Sequence, residues 1–324
     1  MRLNTLGIHT AYTPTNRRGT GKIHDMMQFE AITMILSCLY WKKFQGPIKL
    51  YCDQDFYDYI KKLGITNLWD SIDTSTIAKG FAIDVNHDTF WAYAKMYVNS
   101  LQTEPFVSID LDLFQSCPYD YSTHDIICSH FERADFVNDR IENSNKPVYY
   151  PNYYEWDMFK DRFIQYPDLK FTDHSLNVAV LAVNKPEFSK EVFDIAHSFA
   201  KNNNFDPQNV NTHGFERIIH TIHSSSLITF IEQRLAAAVA NTRGYSVKTL
   251  MNIDYDAGLQ HWINESEMNN PEITHLWGWK ATMKLPQNTE HRIGLSNDLE
   301  AQFANDFPTE YERHMPVIRK FCNE

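Results

Sequence analysis

Short apolar runs alternate with segments of helical period along most of this chain, and nothing else in the sequence limits its fold as strongly. Such alternation dictates an α/β class, with a sheet buried between helices. Residues 3–12 read as a first strand, and the stretch 14–21, rich in Thr, Gly and Arg, as a loop. Met27, Ala31, Met34, Ile35 and Cys38 share one face of a helix expected over 24–44, which Gly46 and Pro47 break. Residues 48–52 form a short strand ending at Asp53, and 54–63 a helix that Gly64 stops. A helix over 87–101 carries Trp91, Lys95 and Asn99 at steps of four, hence on one face.

Further strands are expected over 125–129, 176–183 and 245–251, and helices over 186–201 and 226–241, the last stopped near Gly244. The final ~30 residues read as amphipathic helices packed on the main body. No repeat or low-complexity tract divides the sequence. The expected organisation is therefore one α/β domain over 1–285 with a helical C-terminal extension over 286–324.

Composition narrows the function. A hydrophobic content of 43% is enough for a sizeable core, and a net charge of −11 argues against an affinity built on neutralising phosphate backbones. The five cysteines, Cys38, Cys52, Cys117, Cys128 and Cys322, are odd in number and show no CxxC spacing. Neither a disulfide framework nor a zinc site is suggested, and a reducing compartment fits. The N-terminus lacks an apolar core with a small-residue cleavage site, and no apolar run approaches the ~18 residues of a membrane span. A cytoplasmic protein without a membrane span is the expectation.

The stretch FVSIDLDLF, residues 106–114, concentrates the chemistry. Val107, Ile109, Leu111 and Leu113 read as a buried strand, and period two puts Asp110 and Asp112 on one side of it. Ionised carboxylates beside a core are costly unless compensated. Either the strand emerges into water at Asp110, or a cation sits there; hard ions such as Mg²⁺ or Mn²⁺ prefer oxygen ligands.

The longer run WAYAKMYVNSLQTEPFVSIDLDLF, residues 91–114, resembles the helix and strand that carry the DxD motif of GT-A glycosyltransferases, notably bacterial and phage-type members reading W-x-x-x-K, then P-F-x-x-x-D-x-D-x-F. LNVAVL (176–181) is similar to the Asn-Ala-Gly strand beside the donor sugar. Glu232 and Gln233 in FIEQRLAA resemble the helix start near the reaction centre, and HLWGWK (275–280) resembles the His-x-x-Gly-x-x-Lys element of retaining family 8 enzymes. Together these segments cover most of residues 3–281.

The resemblance implies a GT-A-like domain with a Rossmann-like mixed central sheet flanked by helices. It implies a metal-dependent enzyme moving a sugar from a nucleotide-sugar, a UDP-sugar first among them, to a carbohydrate or other hydroxyl acceptor with retention. Nucleic acid stays open only as an acceptor, and the oligomeric state is not addressed. Carried over, Asp110, Asp112 and His275 would hold Mn²⁺ or Mg²⁺, Lys95 and Lys280 would contact the donor, and Asn177, Glu232 and Gln233 would be the catalytic residues, Asn177 beside the donor sugar and the other two near the reaction centre. The chain departs from the family pattern at Leu111 and Ala179, where Gly is usual, and its His element is one residue short.

Ligands of open α/β sheets bind beyond the carboxyl ends of strands, which points to Thr13, Arg17 and Asp53 as nucleotide contacts. The aromatic run PVYYPNYYEW, 147–156, offers flat faces and hydroxyls for an acceptor sugar. Each residue also has a plain reading: Lys95 and Glu232–Gln233 as helix surface, His275 as packing, Asn177 as a strand-edge bond, Arg17 as a solvated charge. For an inverting reaction, Asp173 and Glu232 are the candidate bases.

Two alternatives stand beside this. A haloacid-dehalogenase-type phosphohydrolase would use Asp110 as nucleophile and Asp112 as acid/base. Its motif normally opens the first strand of its domain, however, and Asp254 and Asp256 substitute poorly for its second acidic cluster. The other alternative is a GT-A-like binding module without catalysis.

Overall fold

The structure is a computed structural model describing residues 4–13, 26–80, 85, 90, 92–133, 168–172, 174–202, 230–250, 272–276 and 283–322. In chain order its elements begin with β1 (Gly7–Ala11), α1 (Gln28–Phe44), β2 (Ile48–Cys52), α2 (Gln54–Lys62), β3 (Ser71–Asp73), α3 (Thr76–Gly80) and α4 (Tyr93–Ser100). There follow β4 (Phe106–Ile109), β5 (Leu113–Gln115), β6 (Ile126–Cys128), β7 (Phe131–Arg133), β8 (His174–Leu176), β9 (Val180–Val183) and α5 (Pro186–Asn202). The last are α6 (Leu235–Arg243), β10 (Val247–Thr249), β11 (Ile273–His275), α7 (Thr289–Asp306) and α8 (Pro308–Phe321). Two compact units result: Met1–Lys79 with Val107–Tyr121 and Gln260–Glu324, and Gly80–Phe106 with Ser122–Leu259.

In the first unit β4, β1, β2 and β3 lie side by side, all parallel, with Gly7 opposite both Val107 and Ile48 and Ala11 opposite Cys52. Buried parallel strands read as continuous apolar runs, and Ile48, Leu50, Tyr51 and Cys52 are accordingly all buried. An imidazole stands in the middle of β1. His9 is fully buried; its Nδ1 accepts from Trp69 Nε1 at 3.1 Å, and its Nε2 meets Ser37 Oγ at 3.0 Å. An indole N–H can only donate, so Nδ1 must be the bare nitrogen and Nε2 carries the proton. Burial pushes the imidazole pKa down to about 3.

Helix α1 departs from the one-faced pattern. Phe29, Ile32, Thr33, Leu36 and Ser37 are buried as well as Ala31, Met34, Ile35 and Cys38 of the expected stripe, because β5 covers one side and α7 and α8 another, while Met27 is the half-buried N-cap. The C-terminal helices thus do pack on the body, through Leu299, Phe303, Met315 and Ile318. Where α1 ends, Gly46 permits a close crossing: a Cβ there would stand 2.4 Å from Thr5 O.

In the second unit β6 pairs in parallel with β10 and antiparallel with β9, while β7 and β8 form a separate antiparallel pair. The run 176–183 is therefore two strands, not the single one its composition suggests. Asn177 causes the break by turning its own side chain onto the backbone, with Oδ1 accepting from Ala179 N at 3.2 Å, while Ser129 Oγ takes Val180 N at 2.9 Å. Helix α5 packs on both α4 and α6, and a π-helical turn, Phe230–Arg234, leads into α6. Gly244 ends α6 at φ +72°, the left-handed cap its position leads one to expect. Overall the α/β class and the mostly parallel sheet agree with the sequence.

Candidate metal centre

Strand β4 stops at Ile109, four residues short of the Leu113 to which the alternation runs, and both aspartates fall in the turn that joins it to β5 instead of on one side of a strand. Leu113 N donates to Asp110 O at 3.1 Å, closing that turn. Inside it the usual burial order is inverted: Leu111 is half-exposed, whereas Asp112 is only 8% exposed. A turn that hides its acid and shows its leucine needs a compensating charge.

The compensation comes through a short ladder. β11 runs antiparallel to β5 with His275 opposite Leu113 and Thr274 opposite Phe114, and Leu276 N donates to Asp112 O at 3.0 Å. This register sets the His275 ring, 1% exposed, with Nε2 3.8 Å from Asp112 Oδ2. One ligand atom from each of Asp110, Asp112 and His275 lies within 4.8 Å of the others. An ion bound at about 2.1 Å from each ligand spans at most about 4.2 Å between them, so the three atoms need contract by only about half an ångström. Two carboxylate oxygens and one imidazole nitrogen suit Mn²⁺ and accept Mg²⁺. The donor set therefore fits a divalent ion.

The other candidates divide between the two units. In the first, Thr13 and Asp53 meet at the carboxyl ends of β1 and β2, the same edge of the parallel sheet from which the acidic turn leaves β4. β1 is where the strand order reverses, the usual position of a ligand crevice. Asp53 also has a part within the fold. Oδ1 accepts from Thr13 Oγ1 at 2.7 Å and from Phe56 N at 2.9 Å, and Oδ2 from Thr13 N at 2.7 Å, which makes it the N-cap of α2 and a clasp on the β1 loop.

In the second unit Lys95 reaches across from α4. Its Nζ donates to Val178 O at 2.7 Å and stands 3.3 Å from Glu232 Oε1, an ion pair whose side chains are 13% and 7% exposed. Lys95 is thus a brace on the backbone next to Asn177, not the solvated helix edge of its plain reading. Glu232 and Gln233 are buried in the π-helical turn, so neither is helix surface. Asn99 and Ser189 line a cavity of about 20 Å³ with Lys95 and Glu232, large enough for one water. The four-residue step from Lys95 was the signal for Asn99; Ser189 had none. Arg17, Lys280, Trp91, Asp173, Asp254, Asp256 and the aromatic run 147–156 lie outside the described residues.

A family model described as "Family of unknown function (DUF6734)" matches residues 16–316. No curated protein sequence matches the chain. Among solved structures, an active-site mutant of LgtC is similar at 9% identity and a TM-score of 0.41, over 91% of this chain and 96% of that one. Mouse xyloside xylosyltransferase 1 in its apo form gives 8% identity and a TM-score of 0.38, over 84% and 97%. The galactosyltransferase LgtC with donor and acceptor sugar analogs gives 10% identity and a TM-score of 0.36, over 96% and 100%.

Proposed function

Because the chain belongs to the family of unknown function DUF6734, whose description assigns no chemistry, we propose an activity from the site itself: a metal-dependent glycosyltransferase of GT-A type. The observation that carries it is the convergence of Asp110, Asp112 and His275 on one point at the carboxyl edge of a parallel sheet. An acidic pair alone would serve many proteins. A buried histidine brought to it by a dedicated two-stranded ladder is harder to explain without an ion.

In this reading the acceptor hydroxyl oxygen bonds to the anomeric carbon of a nucleotide-sugar as the bond to the diphosphate oxygen breaks, and the hydroxyl proton passes to the departing phosphate. Bound Mn²⁺ or Mg²⁺ supplies positive charge against that leaving group. Asp110, Asp112 and His275 would hold the ion. Lys95 acts at one remove, fixing the Val178 carbonyl beside Asn177. The sugar-side roles of Asn177, Glu232 and Gln233, the nucleotide contacts of Thr13, Arg17, Asp53 and Lys280, and retention as the stereochemical outcome rest on the resemblance of their segments to the family elements. A UDP-sugar donor rests on it too.

The phosphohydrolase is less well supported, since three strands already precede Asp110's strand among the described residues and His275 packs against Asp112, the acid/base of that reading. The test is a thermal-shift panel of Mn²⁺ with nucleoside diphosphates and nucleotide-sugars on the wild type and on Asp112→Asn. A ligand at 100 times its Kd adds about 2.7 kcal/mol to the native state. A metal-dependent shift with one nucleotide, lost in the variant and accompanied by sugar transfer or slow donor hydrolysis, is expected. A folded wild type that shifts with none of them refutes the proposal.

A further inference from the structure

The acidic turn and His275 hang on a ribbon of two strands, each three residues long. An isolated pair of strands is marginal in water, so its geometry must come from what it is packed against. That backing is α1. Phe114, two residues beyond Asp112 and opposite Thr274, stacks on Tyr40 with centroids 5.4 Å apart and planes 19° from parallel; both residues are 2% exposed. Tyr40 is itself gripped from the C-terminal helices. Its hydroxyl donates to Asp306 and accepts from Gln302 Nε2 at 2.9 Å, and Phe307 meets its ring edge-on at 4.9 Å.

Tyr40 is thus the side chain shared by the metal ribbon and the end of α7. We infer that Tyr40 is a positioning residue for the metal centre, transmitting the hold of the C-terminal helices to the β5–β11 ribbon and so to the spacing of Asp112 and His275. The inference rests on the metal-site reading above and adds that the C-terminal extension tunes it. Tyr40 touches neither the ion nor a substrate; it acts through Phe114.

The experiment is Mn²⁺ binding to the full chain, followed by calorimetry and by the electron paramagnetic resonance of free Mn²⁺, without any nucleotide. Tyr40→Leu removes the stack and both hydroxyl bonds, and Mn²⁺ affinity falls about 3- to 10-fold, at or just below the range seen when outer partners of metal ligands are lost. Tyr40→Phe keeps the ring and loses only the bonds to Asp306 and Gln302, and falls between the two. Ile60→Ala, a comparable cavity in the core of α2, lowers the melting temperature and leaves the Mn²⁺ Kd unchanged. If Tyr40→Leu does not fold, Gln302→Ala is read in its place, with a loss of about 2-fold.

A folded Tyr40→Leu with the wild-type Kd overturns the inference while leaving the metal site standing. So does an equal shift in Ile60→Ala, because the effect would then be general destabilisation. A wild type that binds no Mn²⁺ overturns the metal site and this inference together.

Discussion

Falling pH should destabilise the first unit through His9. An imidazole held to a pKa of about 3 takes no proton in the native state at pH 5, whereas in the unfolded chain it titrates near 6.5. Burial is the main cause, and the indole N–H of Trp69 on Nδ1 adds to it, since a proton there would set donor against donor. The unfolded state binds more protons between these two values, so stability rises with pH across the window and is lost as pH falls from 6.5 toward 3. At about 1.36 kcal/mol per unit, the step from pH 7 to pH 5 costs about 2 kcal/mol, and a step to pH 4 about 3.4 kcal/mol. Urea unfolding at each pH measures it. Because the sequence holds 14 histidines, the control is His9→Gln, which cannot titrate but retains an acceptor for Trp69 and a donor for Ser37. The variant should start less stable and lose about 2 kcal/mol less than the wild type between pH 7 and pH 5. Equal losses in the two proteins, or a His9 resonance titrating near 6.5, would refute the reasoning.

Other substitutions probe the rest of the molecule. Lys95→Met strands the buried Glu232 carboxylate and should cost about 3–5 kcal/mol in denaturant unfolding, while adding Glu232→Met recovers part of it; an exposed-pair value below about 1 kcal/mol would contradict the burial. Asp112→Asn should abolish the Mn²⁺-dependent thermal shift without lowering the metal-free melting temperature, since it removes a buried charge beside Asp110; a large drop in that temperature would make Asp112 chiefly structural. Gly46→Ala presses a methyl against Thr5 O and should cost about 1–3 kcal/mol by the same unfolding assay; a neutral result would mean that the crossing of the chain at Gly46 is loose.

How far the residues announce this structure depends on how local each decision is. Strand β2 is legible to the residue because Pro47 and Asp53 bracket a run of five, and the α2 stop at Gly64 and the α6 stop at Gly244 follow from backbone chemistry at one position. Asn177 defeats the reading of 176–183, because its side chain competes locally with the sheet and composition does not reveal that choice. The all-round burial of α1 is invisible for a different reason: it depends on helices more than two hundred residues downstream. At the candidate site the acidic pair stands out on its own, yet its third member is legible only through the resemblance of HLWGWK. Nothing near His275 in the sequence says that β11 will pair with β5. The engagement of Asp53 with Thr13 is long-range as well, so strand-end logic did not show that Asp53 also caps α2.

The ladder that joins Leu113 to His275 also imposes a schedule on biosynthesis. Ribosomes add about 5–20 residues per second, so the two aspartates leave the exit tunnel on the order of ten seconds or more before their histidine. Until β11 arrives, β5 lacks its ribbon partner and the acidic turn lacks both His275 and the Leu276 amide. Such long-range closure is slow by its topology. The acidic turn is therefore synthesised well before the strand that completes its donor set.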